Sequence, residues 1–416
     1  MHLIHRKSCR VCGSTALTKV ISLGDQYLQG SFIKDGLPPP PQRRIPLTLT
    51  RCDPTRDEKA CGLLQMEHSV PPEVLYSSYW YRSGTNDTMR NHLRGIAEEA
   101  LAIVDSARSV LDIGCNDGTL LKCYPAEVAK FGVDPSDVAL SAGSGITLVR
   151  DTFPSSELDS VLAGRTCDIV TSIAMFYDLE DPIGFARAVK AVLAPEGVWV
   201  IEMSYMPTML QMNSYDTICH EHLEYYSLAV LERILLAAGL KVFNVSLNSI
   251  NGGSIRCFVT HETNFRYRGD QYSLQLRALR RQEFDLELDT DKPYRHFQNR
   301  IDAHRDELAA LLHKLNAEGR QIHVYGASTK GNTILQWCGI DKSVITVAAE
   351  RNPDKFGART LGTDIPIVSE EESRAMRPDY YLVLPWHFKE EFMRREAQTL
   401  RDGVKFIFPL PNIEIT

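Results

Sequence analysis

The sequence predicts an α/β fold in three parts: a small amino-terminal region followed by two doubly wound, strand-alternating domains. Two patterns carry this. Short apolar runs alternate with helical stretches over 71–262, and a second strand, glycine turn and helix opens after a long helical stretch at 263–416. A third observation sets the beginning apart: residues 1–70 are short and irregular, carry a proline run at 38–41, and gather Cys9-x-x-Cys12 with Cys52 and Cys61.

Size and composition bound the rest. The chain has 416 residues, 44% hydrophobic and 24% charged, enough for two or three domains with their own cores. A formal charge of -7 offers no general attraction to nucleic acid or anionic lipid, so any phosphate needs a local site. No run approaches the roughly 18 to 20 apolar residues of a membrane span, and the opening MHLIHRKSCRVC has no apolar signal segment. The expectation is a cytoplasmic protein with neither nucleic-acid nor membrane partners. Cys115, Cys123, Cys167, Cys219, Cys257 and Cys338 lie scattered among apolar or motif residues, as reduced thiols do.

Taken in order, the amino-terminal cysteines come first. Two thiolates on one turn, joined by a second pair from a distant segment, make a closed tetrahedral zinc site, which stabilises a region too small to bury its own core. In the middle domain SVLDIGC, KFGVD, CDIVTSIAM and GVWVIEM read as strands. The third part opens on one long connecting helix, with Phe297, Ile301, Leu308, Leu311, Leu312 and Leu315 at helical spacing and Gly319 as its stop. QIHVYG, VITVAA, DYYLVLPW and KFIFPL follow as strands of a second Rossmann-like domain.

The strand ending in Asp112 runs into Gly114, Asn116 and Gly118, with Thr119 expected to start a helix. Glycines let a ligand press on the backbone, and helix-start amides can meet a carboxylate. Further on, Asp134 ends the next strand, where an acid accepts hydrogen bonds from ribose hydroxyls. The turn lacks Gly-x-Gly-x-x-Gly and resembles the first motif of class I methyltransferases, which implies S-adenosylmethionine as cofactor. Asp151 and Phe153, after the third strand, and Ile173 are softer candidates for the same cofactor.

Beyond the fourth strand lies CHEHLEYYS, with His220, Glu221 and His222 in succession. Methylating a carbon needs a base to take the proton beside a carbonyl and a donor to hold the enolate. Either His220 or His222 answers the first need. A metal reading of His-x-His lacks a carboxylate at suitable spacing. Upstream, Tyr79 and Tyr81 in YWYRSG concentrate phenols before a helix starting near Thr88.

Together the cysteine pairs, the DIGCNDG turn, the Glu-His pair of CHEHLEYYS and YGASTKGNT at 325–333 resemble the sugar C-methyltransferases of deoxysugar biosynthesis, over nearly the whole chain. The resemblance implies a monomer that adds a methyl group to C-3' of a nucleotide-diphosphate-linked 4-keto-6-deoxysugar. It gives His222 the role of base, Glu221 that of its neighbour and Tyr79 that of a sugar-positioning phenol. It implies a carboxy-terminal domain gripping the nucleotide diphosphate through Tyr325, Ser328, Lys330, Asn332, Asn352 and Lys355. This chain departs from its relatives at Phe176-Tyr177 and at Cys219-His220, so Tyr177 and His220, with Tyr81, are expected against the substrate. The nucleotide, thymidine or guanosine, stays open, and O- or N-methylation of a sugar or other metabolite is the alternative.

Overall fold

The structure, a computed structural model, describes residues 3–75 and 80–416. Tyr79 lies outside the described residues.

The middle part is built on a seven-stranded sheet. Its order in space is Leu240–Asn248, Ser254–His261, Leu193–Ser204, Cys167–Ile173, Ser109–Ile113, Ala129–Val133 and Thr147–Val149. The last five run parallel, as the strand-helix alternation predicts. The first two form an antiparallel hairpin that continues the sheet past Leu193–Ser204, which strand-helix alternation does not anticipate. Both faces are buried: Trp199 and Ile201 pack on one side, Val198, Val200 and Phe258 on the other. Asp87–Ile103, capped by Asn86 through the Met89 amide at 2.7 Å, covers the second face with Leu93, Ile96 and Ala97.

The carboxy-terminal sheet has six strands in the order Ile367–Ser369, Ala348–Glu350, Ile322–Tyr325, Tyr380–Val383, Lys405–Phe408 and Glu414–Ile415, all parallel but the last. VITVAA contributes less strand than its apolar run suggests. Asp341 caps a turn through the Ser343 amide at 2.8 Å, and pairing begins only at Ala348. The expected single connecting helix is two, Asp270–Asp285 and Lys292–Ala317. Glu287 takes a positive φ of 55°, and Pro293 at the second helix's start cannot continue the hydrogen bonds of the first.

The amino-terminal region is more regular than its sequence implies. Leu17–Gln26 and Ile45–Cys52 form long antiparallel strands in a four-stranded sheet, whose far edge is Glu224–Tyr225 from the middle domain. Phe32–Ile33 pairs with Arg359–Thr360 of the carboxy-terminal part. Helix Lys292–Ala317 packs its Phe297, Ile301, Leu308 and Leu312 stripe into a core shared with Ile21, Leu23, Met206 and Met209. Thus all three parts contribute to one apolar cluster. No helix of the described residues is long and apolar enough to cross a membrane.

Candidate active site

In the middle sheet the chain runs outward from Ser109–Ile113 and then returns to Cys167–Ile173, so the switch point falls between these two strands. At their carboxyl ends stand Gly114, with φ 76°, and the turn of Ala174 and Met175. A Cβ at 114 would come 3.2 Å from Met175 Cγ, so only glycine keeps the loop this close. Gly118, φ 70°, answers a packing need instead, since a Cβ there would lie 2.9 Å from Ala142 Cβ.

Asp134 closes this loop: its carboxylate accepts from the Asn116 amide at 2.9 Å and the Ser136 amide at 2.8 Å. Asp112 accepts from Thr171 Oγ1 at 2.6 Å, and burial, reinforced by the charge of Asp134, pushes its carboxyl up to about 7. The helix expected from Thr119 is absent. Asp117 holds Thr119 through its amide at 3.2 Å and its hydroxyl at 2.6 Å, and only a single 3₁₀ turn, Leu121–Cys123, fits before Pro125. The loop is strapped from outside: Asn116 Nδ2 donates to the Tyr81 carbonyl at 3.1 Å, and the Ser83 amide to Asn116 Oδ1 at 2.9 Å. Tyr81 is exposed as a residue, yet its phenol is shielded enough that burial, with the charge of Asp117, pushes it up to about 12. Asp151 is spent on Thr152 N and Ser155 Oγ, and Phe153 packs edge-on against Phe185 at 5.1 Å. Ile173 ends its strand half-buried.

Beside the crevice lies the segment 215–223. His222 donates through Nδ1 to the Thr217 carbonyl at 2.7 Å, because a carbonyl can only accept. Its Nε2 is therefore the basic nitrogen. Burial, and then the charge of Lys330, drive its pKa down to about 3, so the ring is neutral. Tyr177 lies against it with ring centroids 4.1 Å apart. Glu221 accepts from the Gly30 amide at 3.0 Å through Oε1, while Oε2 is buried with no hydrogen-bond partner among the described residues. Burial raises its pKa.

His220, expected at the substrate, points into the protein. It is fully buried, its amide and Nδ1 meet Gln29 Oε1 at 3.2 and 2.8 Å, and Nε2 faces the Ile45 carbonyl at 3.3 Å. The lengthening of a loop polar pattern into a buried strut is invisible without the partner strand. His220 thus has both ring nitrogens against protein acceptors, whereas His222 has its Nδ1 against one.

From the carboxy-terminal part, Ser328 caps helix Thr329–Trp337 through the Gly331 amide at 3.0 Å, and Lys330 Nζ donates to the Asn251 carbonyl at 3.0 Å. Three other expected contacts serve packing. Tyr325 is a core residue, donating to Glu396 Oε1 at 2.8 Å beneath Tyr381 and Phe406. It ends a strand of which all four residues are buried, the sheet being covered on both faces. Asn332 is buried and donates to the Gln29 carbonyl at 2.7 Å. Lys355 donates to the Ala327 carbonyl at 2.6 Å, over the Phe32 ring. Asn352 holds the Trp80 carbonyl at 2.9 Å. Between this residue and the glycine loop opens a cleft of about 580 Å³, with Arg82, Arg90, Lys122 and Arg351 facing Asp117 and Asp354.

Two residues near Lys330 carry no motif. Asp216, buried, accepts from Trp386 Nε1 at 2.9 Å, and His387 follows in the same turn. The sign available in the sequence was position alone, just past a parallel strand's carboxyl end.

At the other end of the chain, the Sγ atoms of Cys9, Cys12, Cys52 and Cys61 all lie within 4.8 Å of one another. Amides of Val11 and Cys61 donate to Cys9 and Cys52 sulfurs at 3.4 Å, as thiolates holding a metal require. Four soft ligands with none left open fit a structural zinc ion.

Three family models match consecutive segments: a zinc binding domain at 9–76, a methyltransferase domain at 86–245 and a C-methyltransferase C-terminal domain at 249–411. The C-methyltransferase NovU of Streptomyces niveus is 28% identical over 97% of this chain and 95% of its own. A ubiquinone biosynthesis O-methyltransferase of Vibrio campbellii is 28% identical over 30% of this chain and 57% of its own. Among solved structures, an S-adenosylmethionine-dependent methyltransferase of Clostridium acetobutylicum aligns with a TM-score of 0.34 at 12% identity, over 41% of this chain and 92% of its own. We expect metal analysis of the purified protein to find one zinc per chain, which Cys9→Ser loses and Cys123→Ser keeps. A zinc-free wild type that melts at an unchanged temperature would contradict a structural metal. With these segments in this order over nearly its whole length, the chain belongs to the C-methyltransferases, enzymes that draw the methyl group from S-adenosylmethionine.

Proposed function

We propose that this enzyme methylates C-3' of a nucleotide-linked 4-keto-6-deoxysugar, with His222 as the base. The observation that carries this is the orientation of His222. Its Nδ1 proton is committed to Thr217, its ring is neutral, and Nε2 is left as a lone-pair base beside the switch-point crevice. An oxygen or nitrogen acceptor already has a lone pair, whereas a carbon acceptor needs such a base.

Asp112, Gly114, Asn116, Gly118 and Asp134 would hold S-adenosylmethionine, with the more distant Asp151 and Phe153 at its edge. That cofactor supplies a methyl group made electrophilic by a sulfonium charge. The chain's own work is to orient the sugar, exclude water and carry one proton. His222 takes it from C-3', and Glu221 and Tyr177 bound the space in which the ring must lie. Tyr79 would be the sugar-positioning phenol, and Tyr81, whose carbonyl straps the glycine loop, would lie beside it against the substrate. Ser328, Lys330 and Asn352 provide donors from the opposite domain, and the cationic side of the interdomain cleft suits the nucleotide diphosphate. A cytoplasmic setting accompanies this reading, because the six cysteines outside the metal quartet are free thiols.

His222→Ala should bind S-adenosylmethionine as the wild type does, yet transfer methyl groups slower by about two or more powers of ten. Undiminished turnover on thymidine- and guanosine-linked 4-keto-6-deoxysugars removes His222 as base. A second expectation follows from Asp112. A carboxyl raised to about 7 is mostly neutral below that pH, so the anion that favours the cationic cofactor appears only as pH rises. Calorimetry should find S-adenosylmethionine binding tightening from pH 6 to pH 8, a slope that Asp112→Asn abolishes; equal slopes in both proteins would assign the effect elsewhere.

A further inference from the structure

Helix Thr329–Trp337 packs its amino-terminal turns against the segment that carries His222. Lys330 and Thr333 lie three residues apart, on one helix face. Thr333 Oγ1 donates to the Ile218 carbonyl at 3.1 Å, which presses that face onto the segment holding His222. Thr329 and Glu221 meet at Gly30, where a Cβ would fall 2.1 Å from Glu221 Oε1 and 3.5 Å from Thr329 Oγ1. Lys330 extends from this turn and spends one of its three protons on the Asn251 carbonyl. Burial, and then the charge of Lys330, lower the pKa values of His222 and His387, and the same charge acts on Asp216.

A cation so near the base cannot be assigned by charge alone, since a diphosphate and an enolate both want one. Connectivity decides between them. In a 4-keto sugar the carbonyl carbon is bonded directly to C-3', whereas the diphosphate hangs from C-1', across the ring. Cations for a phosphate line a cleft elsewhere, where Lys122 and Arg351 accompany Arg82 and Arg90, which pair with Asp354 and Asp87. We propose that Lys330 is the electrophile of the reaction, donating from its ammonium to the C-4' oxygen while His222 takes the C-3' proton. This assigns to Lys330 a reacting atom rather than the phosphate suggested by its glycine-rich surroundings, and it rests on the sugar reading above.

The electrons balance without another reactant. The C-3'–H bond breaks, the proton goes to Nε2, and the bonding pair forms the C-3'–C-4' double bond as the carbonyl pair moves onto oxygen. A hydrogen bond from Nζ holds that oxygen, where a preorganised donor in a water-poor site counts most. When C-3' attacks the methyl group, the carbon–carbon bond forms, the sulfur–methyl bond breaks with its pair left on a neutral thioether, and the carbonyl returns. His222 then gives its proton to solvent.

The test uses the full-length, zinc-loaded protein with thymidine-diphosphate-4-keto-6-deoxyglucose in deuterated water, without and then with S-adenosylmethionine. Lys330→Met and Lys330→Gln should slow deuterium entry at C-3' and methyl transfer by about 10²–10³-fold. Their dissociation constants for the sugar nucleotide and for S-adenosylmethionine should stay within about threefold of wild type, less than half of the 1.4 kcal/mol that a tenfold change represents. Sugar-nucleotide binding weakened tenfold or more, with exchange in the saturated complex unchanged, overturns the proposal and returns Lys330 to the diphosphate, leaving the sugar reading intact. Deuterium entering the wild type only at C-5', the other carbon beside the ketone, or no exchange and no transfer at all, overturns the C-3' reading and this inference with it.

Discussion

The structure turns on the buried polar segment 215–223, whose hydrogen-bonding groups must be satisfied away from water. No single domain does this. The amino-terminal region supplies Gln29 to the His220 amide, the Gly30 amide to Glu221 and the Met66 amide to the Leu223 carbonyl. The carboxy-terminal helix supplies Thr333 to the Ile218 carbonyl. The middle domain supplies the Tyr177 carbonyl to the Leu223 amide. An unmade bond of this kind costs about 1–3 kcal/mol, so docking of three parts and positioning of His222 are one event.

That dependence explains why the zinc region belongs in a methyl-transferring enzyme. It is too small to fold on apolar burial alone, and four thiolates stabilise the turns on which its long strands begin and end. The first of those strands ends at Gln26, whose side-chain oxygen accepts from Gln29, the residue that receives both His220 and Asn332. The cysteine quartet is tied to the segment 215–223 through a sheet that the chain after this segment completes at Glu224–Tyr225.

Much of this was legible in the sequence, and the reasons for the misses are physical. Parallel strands announced themselves because burial on both faces leaves continuous apolar runs, and the cysteine quartet because thiolate spacing is distinctive. The glycine loop was legible too, but the helix after it was not to be had, since Asp117 offers Thr119 a competing turn and Pro125 arrives within two turns. Tyr325 and His220 were read as polar groups awaiting a ligand. Each instead found a protein partner far along the chain, Glu396 for one and Gln29 for the other. Distance in sequence conceals such pairs, just as it concealed Asp216 with Trp386. Local motifs reveal which chemistry a chain can do, while the partners that orient it come from segments with no motif.

The central claim of the proposed reading is that the acceptor is carbon, deprotonated by a neutral histidine whose Nδ1 proton is committed to the Thr217 carbonyl. It is tested most directly by supplying S-adenosylmethionine with a carbon-13 methyl group, offering a panel of thymidine- and guanosine-linked 4-keto-6-deoxysugars, and reading the product by nuclear magnetic resonance. The account predicts a methyl carbon coupled to a ring carbon, at C-3'. A methyl group attached to oxygen or nitrogen would contradict it.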